Sequence, residues 1–259
     1  MDMILLAALV ALGLLFGILV LLEVGRRLGE RRIAEDPEGA RSGIGAVEGA
    51  IFGLVGLLIA FTFSGAASRF DERRDLVVQE SNAIGTAYLR LDLLPEGVQP
   101  AMRDLFRRYL DTRIEAYRRL PDINAAKAKL QESIRLQNEI WHRVLASGIS
   151  EGAAPDAIKL LVPALNEMFD ITTTRTAATA MHPPVVIYLM LVILVLAAAL
   201  MAGYGMAGAK KRSSMHMLGF AIVMSLAVYI IIDMEYPRLG LIRVDAFDQT
   251  LVKLGSEMG

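Results

Sequence analysis

Ionisable residues are plentiful in this 259-residue chain but poorly arranged for covalent chemistry. There are 28 Asp and Glu, 27 Lys and Arg, three His and no Cys. The lack of cysteine excludes disulfides, thiolate catalysis and cysteine metal ligands. His142, His182 and His216 are scattered without ligand spacing, so neither a metal nor a cofactor is expected. Asp71 and Asp75 stand one helical turn apart, as carboxylates on solvated helices commonly do, and no nucleophile with a paired base accompanies them. No catalytic residue is assigned, and the chain is read as a non-enzyme. Glu48 is a different case. Its neighbours are Val47, Gly49, Ala50 and Ile51, and an ionisable group in such surroundings is costly enough to suggest a function. It could select, bind or relay a cation, or pair with Arg41 or an arginine that follows the first apolar stretch.

The elements that must position these groups are set by four apolar stretches: Met3 to Leu22, Ile44 to Ala67, Pro184 to Ala207 and Met215 to Ile232. Each is close to the roughly 20 residues a helix needs to cross hydrocarbon. The hydrophobic share of 54% points the same way, whereas residues 69–175 have the charge density of a soluble helical domain. The expected fold is an all-α polytopic membrane protein, four transmembrane helices with an inserted extramembrane helical bundle. The expected division is a helix pair at 1–67, the helical domain at 68–183, a second helix pair at 184–232 and an extramembrane tail at 233–259. The first stretch has no basic residue before it and no small-residue cleavage site before Glu23, so it is expected to stay in the mature protein.

Sidedness follows from the distribution of Lys and Arg. The first two stretches are joined through Arg26, Arg27, Arg31, Arg32 and Arg41, and the last two through Lys210, Lys211 and Arg212. The positive-inside rule puts both short connections in the cytoplasm. The helical domain and both termini then lie outside the inner membrane, in the periplasm or extracellular space. Arg69, Arg73 and Arg74 pull the other way, and a cytoplasmic domain stays open. With a net charge of -1 and no basic tract in the domain, nucleic-acid binding is not expected.

The second stretch has the most to say. Gly45, Gly49 and Gly53 form one four-residue ladder, and Gly56, Ala60, Ser64 and Ser68 another. Small residues at this spacing let helices approach closely in lipid. Phe61 and Phe63 add bulk for a constriction or a bundle core. The candidates for pore lining or gating are therefore Glu48, Gly53, Gly56, Ala60, Phe61, Phe63 and Ser64. Beyond them, Arg69, Asp71, Arg73 and Arg74, with Asp233, Glu235 and Arg238 after the fourth stretch, suit either a charged vestibule or structural ion pairs. Glu23 and Arg26 are expected to pair at the end of the first helix.

No strong breaker interrupts residues 70–94 except Gly85, so the second helix is expected to run well beyond the membrane and end before Pro95. Met102, Leu105, Phe106, Tyr109, Leu110, Tyr117 and Leu120 then mark one amphipathic helix, and Leu130, Ile134, Gln137, Trp141, Val144 and Leu145 another. Ile158, Leu161, Val162, Leu165, Met168 and Phe169 mark a third, leading into the hydroxyl-rich run of Thr172, Thr173, Thr174, Thr176 and Thr179.

Several of these residues also form a family pattern. Residues 59–66 (IAFTFSGA), Arg69-Phe70-Asp71, Arg73-Arg74, Glu80 and residues 82–90 (NAIGTAYLR), with Asp233, Pro237, Arg238, Gly240 and Arg243, resemble a bacterial membrane family described as bestrophin-like. The resemblance spans nearly the whole chain. It implies an oligomeric ion channel, anion-selective by analogy with bestrophins, with the second helix facing a pore on a homo-oligomer axis and inorganic ions as its ligands. It also implies a cytoplasmic domain, opposite to the charge bias. Glu48 argues for cations through the field of its carboxylate, so selectivity stays open. The alternative reading is a membrane-anchored structural or signalling protein whose helical domain binds a protein partner.

Overall fold

A computed structural model describes residues 3–36, 44–148, 156–208 and 214–258. The described elements are helical: α1 (Met3–Glu35), α2 (Ile44–Leu89), α3 (Gln99–Arg118), α4 (Ile123–Ser147), α5 (Ala157–Ala180), α6 (Val185–Gly205), α7 (Ser214–Glu235) and α8 (Gln249–Glu257). Four helices are long and apolar enough to cross a membrane. The chain divides into two compact units, Met1–Ser68 with His182–Tyr236, and Arg69–Met181 with Pro237–Gly259. Pro237–Gly259 thus belong to the second unit. Pro37, Glu38 and Gly39, and the basic residues Arg41, Lys210, Lys211 and Arg212, lie outside the described residues.

In the first unit α1 packs against α6 and α7. Leu14, Ile18 and Leu22 repeat every four residues and so share one helix face. That face is buried, as are Leu191, Val195, Ala198 and Ala199 of α6 and Ala221, Val228 and Ile231 of α7. Glycines set the distance between α1 and α6. A Cβ on Gly203 would stand 2.0 Å from the Leu22 carbonyl oxygen, one on Gly25 2.0 Å from that of Leu200, and one on Gly29 2.7 Å from that of Tyr204. The outer surface reverses that of a soluble protein: Leu9, Leu12, Phe16, Val185, Val186, Ile193, Met215 and Val223 are exposed. Such a surface needs lipid as its solvent.

The second unit is a helical bundle with a conventional core. The last part of α2 supplies Val77, Ile84 and Leu91 nearby in sequence, α3 supplies Met102, Phe106 and Tyr109, α4 supplies Leu136, Ile140 and Val144, and α5 supplies Leu161, Leu165 and Met168. α3 starts at a proline-bearing first turn, where a missing N–H costs nothing. α4 starts at Asp122, whose carboxylate accepts from the Ala125 N–H at 3.0 Å, a standard N-cap. α8 closes the bundle through Leu251, and the Met258 carbonyl accepts from Tyr88 Oη and Arg107 Nε, both at 2.8 Å.

Candidate functional site

The apolar part of α2 presents three faces, because successive residues turn by about 100°. The first is turned toward its own unit. Val55 and Ala66 are buried, the rings of Phe52 and Phe220 meet edge to face at 6.3 Å, and Thr62 returns its hydroxyl to the Leu58 carbonyl at 2.7 Å. Glu48 lies on this side, with its carboxylate against Gly205 of α6. A Cβ there would be 2.7 Å from Glu48 Oε1.

The second face carries Gly49, Gly53, Gly56, Ala60, Phe63 and Ser64, which fall within about 100° of arc. All six are exposed, and a Cβ on Gly45, Gly49, Gly53 or Gly56 would meet nothing within 4 Å. Among the described residues these glycines therefore pack against no other helix. Close approach within the chain belongs to α1 and α6 instead. The third face carries Val47, Leu54, Leu57 and Phe61, exposed and bulky. Phe61 and Phe63, two positions apart, are about 200° apart around the axis. The candidates taken from the sequence therefore separate: Gly53, Gly56, Ala60, Phe63 and Ser64 share one face, Phe61 lies on another, and Glu48 turns inward.

At the end of α7, Asp233 and Glu235 are buried. Tyr229 Oη donates to Asp233 at 3.4 Å, His182 Nδ1 lies 3.5 Å from Glu235 Oε2, and the His182 ring stacks on Tyr236 at 4.5 Å. Glu23 pairs with Arg26 at 2.9 Å, as expected for the end of the apolar part of α1.

In the second unit Arg73 closes a helix. It donates to the carbonyls of Ala178 at 3.1 Å and Met181 at 2.9 Å, where α5 ends and its carbonyls lack helical partners. Arg74 pairs with Asp71 at 2.8 Å and stacks on Phe247, with 4.2 Å from guanidinium to ring centroid. The threonines of α5 bond back to its own carbonyls: Thr172 to Met168, Thr174 to Asp170, Thr176 to Thr172 and Thr179 to Thr176.

The largest polar construction in this unit is centred on Glu80, whose side chain is fully buried. Arg113 Nε donates to its Oε1 and Arg175 Nη1 to its Oε2. Arg175 also reaches Asp248 Oδ1 at 3.2 Å, and Arg238 grips both oxygens of Asp248 at 2.7 and 2.8 Å. The Tyr117 ring lies beside three guanidinium groups, those of Arg175 at 3.7 Å, Arg238 at 4.4 Å and Arg113 at 5.4 Å. Burial pushes the Glu80 carboxyl upward, but Arg113 and then Arg175 outweigh it, and the group is held below the ordinary glutamate value. Burial opposes the charge on Arg113, and Glu80 more than restores it. The network ties α2, α3 and α5 to the C-terminal segment. Of its members, only Arg238 stood among the sequence candidates. Arg113 was marked by its place between Tyr109, Leu110 and Ile114 on an apolar stripe, which forces a buried charge to find a partner.

Fold and surface define a multi-pass, all-α membrane protein with an inserted helical bundle. The sequence matches the Bestrophin-like domain over residues 13–246, and the chain belongs to the bestrophin-like family. Its fold is also similar to that of a bacterial bestrophin homologue from Klebsiella pneumoniae, seen in crystal structures of single-residue variants. One gives a TM-score of 0.71 at 12% identity, covering 94% of this chain and 98% of that one. A second gives 0.65 at 15%, covering 93% and 97%, and a third 0.63 at 14%, covering 96% and 97%. At such identities the likeness speaks for the fold. No curated protein matches the sequence. Among the described residues, no group of three or more His, Asp or Glu side chains is placed to hold a metal ion.

Proposed function

We propose that this chain assembles with copies of itself into an ion channel of a bacterial inner membrane, with the glycine-bearing face of α2 lining the axial path. The observation that carries this reading is that Gly49, Gly53, Gly56, Ala60, Phe63 and Ser64 are all exposed on one side of a membrane-crossing helix. A single crossing exposed to lipid has no need of such a small-residue face, whereas a pore or a close helix contact in an oligomer does. Membership of the bestrophin-like family supports the same reading. Phe63 is the bulkiest side chain on this face and is assigned the constriction. Phe61 and its apolar neighbours face lipid or an adjoining subunit.

The face carries no ionisable residue between Gly49 and Ser64. Side-chain charge within the crossing therefore favours neither sign of ion, and the anion preference rests on family analogy alone. Flux through the purified protein in sealed liposomes tests the proposal, with separate chloride and potassium gradients. Protein-dependent flux supports a channel and identifies the permeant charge. Absence of flux across pH, calcium concentration and voltage would favour a membrane anchor whose helical domain recruits a partner.

The basic short connections support an orientation with the helical domain outside the inner membrane. A cysteine introduced at exposed Asp92 and challenged in intact spheroplasts with an impermeant maleimide tests this. Labelling without permeabilisation supports it, and labelling only after permeabilisation would place the domain in the cytoplasm.

A further inference from the structure

Glu48 is the acidic residue that the channel reading leaves without work. It lies about 100° around α2 from the glycine-bearing face, so it does not line the proposed path. Its carboxylate is seated on Gly205, the closing residue of α6, with an added Cβ 2.7 Å from Oε1 and 3.1 Å from Oε2. Oε1 is fully enclosed and has no hydrogen-bond donor among the described residues. A bare carboxylate oxygen removed from water costs several kcal/mol, in order of magnitude, unless something cationic or a proton donor reaches it.

The helix ends around it do not supply that partner. Glu48 lies five residues into α2, where the helix's own positive end favours a carboxylate. The oxygens, however, rest on Gly205 at the C-terminal, negative end of α6. An enclosed oxygen without a donor, resting on carbonyl-bearing backbone with room made by a glycine, is an acceptor set awaiting a positive charge.

We propose that Glu48 and the closing turn of α6 form a binding site for one monovalent cation within the membrane unit, filled by a proton or by Na⁺. A proton would convert the carboxylate into a donor that a closing carbonyl of α6 can accept. Sodium would use the same oxygens as ligands. Either joins α2 to α6 in the filled state and leaves uncompensated negative charge between them in the empty one. The site rests on the membrane placement of α2 and α6 but not on ion conduction, so it stands or falls independently of the flux experiment.

The test is modification of the full-length protein in lipid nanodiscs by dicyclohexylcarbodiimide, read by peptide mass spectrometry. A protonated carboxyl adds across one C=N bond of the reagent, its proton passing to nitrogen. The O-acylurea formed rearranges to a stable N-acylurea that retains every reagent atom. Modification of Glu48 is expected to be faster than that of the exposed carboxylates Asp71 and Asp92. If a proton fills the site, the Glu48 rate is unaffected by NaCl and by choline chloride alike. If sodium fills it, added NaCl slows the reaction where choline chloride does not. In either case Gly205→Ala, which crowds Oε1, changes the Glu48 rate and leaves that of Asp71 unaltered.

Reactivity at Glu48 no greater than at Asp71 in sodium-free buffer would overturn the proposal. Lys210, Lys211 and Arg212 follow α6 in sequence and provide the competing source of charge. If Glu48 becomes reactive only when all three are changed to Gln, that segment neutralises the carboxylate and the cation site is refuted.

Discussion

Gly203 of α6 stands so close to α1 that a Cβ on it would lie 2.0 Å from the carbonyl oxygen of Leu22. The obstructing atom is backbone and cannot swing aside. Gly203→Ala should therefore force α1 and α6 apart and lower stability by about 3 kcal/mol, the upper end of ordinary overpacking costs. Gly53→Ala, whose new methyl meets nothing within 4 Å, should not destabilise the isolated chain and could raise its stability by up to about 1 kcal/mol, the helix-propensity gain of Ala over Gly. Thermal unfolding of both variants in detergent makes the comparison.

The same contrast reverses for assembly. Gly53→Leu and Gly56→Leu place bulk on the uncovered face of α2 and should reduce the oligomeric mass measured by light scattering in detergent, leaving helical content unchanged. An oligomer of unaltered mass would count against this face as the one turned toward neighbouring subunits.

Glu80→Gln leaves Arg113 and Arg175 without their shared anion and should cost about 3–5 kcal/mol, as expected when one partner of a buried ion pair is removed. The pH dependence has a definite sign. Because the folded protein holds the Glu80 carboxyl below its ordinary value, the unfolded chain binds the proton more readily. The contribution is complete above the unfolded glutamate value of about 4.3 and disappears as pH falls through the lower folded value. Denaturant titrations at successive pH values should show this acid loss in the parent protein and a flatter acid limb in Glu80→Gln.

Asp248 links Arg175 to Arg238 and so fastens the C-terminal segment. Asp248→Asn weakens two charge-assisted interactions and should cost about 2 kcal/mol. If the segment opens locally, hydrogen exchange of the α8 amides should accelerate roughly thirtyfold. Exchange in α4, which carries none of these partners, should stay the same. Equal acceleration throughout the second unit would mean that Asp248 holds the whole bundle and not its C-terminal closure alone.

The membrane architecture was legible because composition alone determines which segments lipid can accept. The length of α2 could also be read, since between Phe70 and Leu89 only Gly85 weakens a helix and no proline intervenes. The opposed placement of Phe61 and Phe63 follows from their two-residue spacing. The Glu80 network is different. Its partners are 33 and 95 positions away in the chain, and no periodicity connects them. What the sequence did contain was Arg113 on an apolar stripe, a charge that burial obliges to pair. Gly25 and Gly203 were equally visible, but which helices they would bring together depends on packing of the whole unit.

Cysteine accessibility along α2 distinguishes a pore-lining face from a lipid-facing one, and the chain contains no native cysteine to confuse it. Single substitutions Gly49→Cys, Gly53→Cys, Ala60→Cys and Phe63→Cys, with Leu54→Cys, Leu57→Cys and Phe61→Cys as the opposing set, would be reconstituted and treated with a charged, water-soluble methanethiosulfonate. A pore lined by the glycine-bearing face requires modification of the first set, with a change in ion flux, and protection of the second. Modification of the Leu54, Leu57 and Phe61 set with protection of the glycine-bearing face would contradict it.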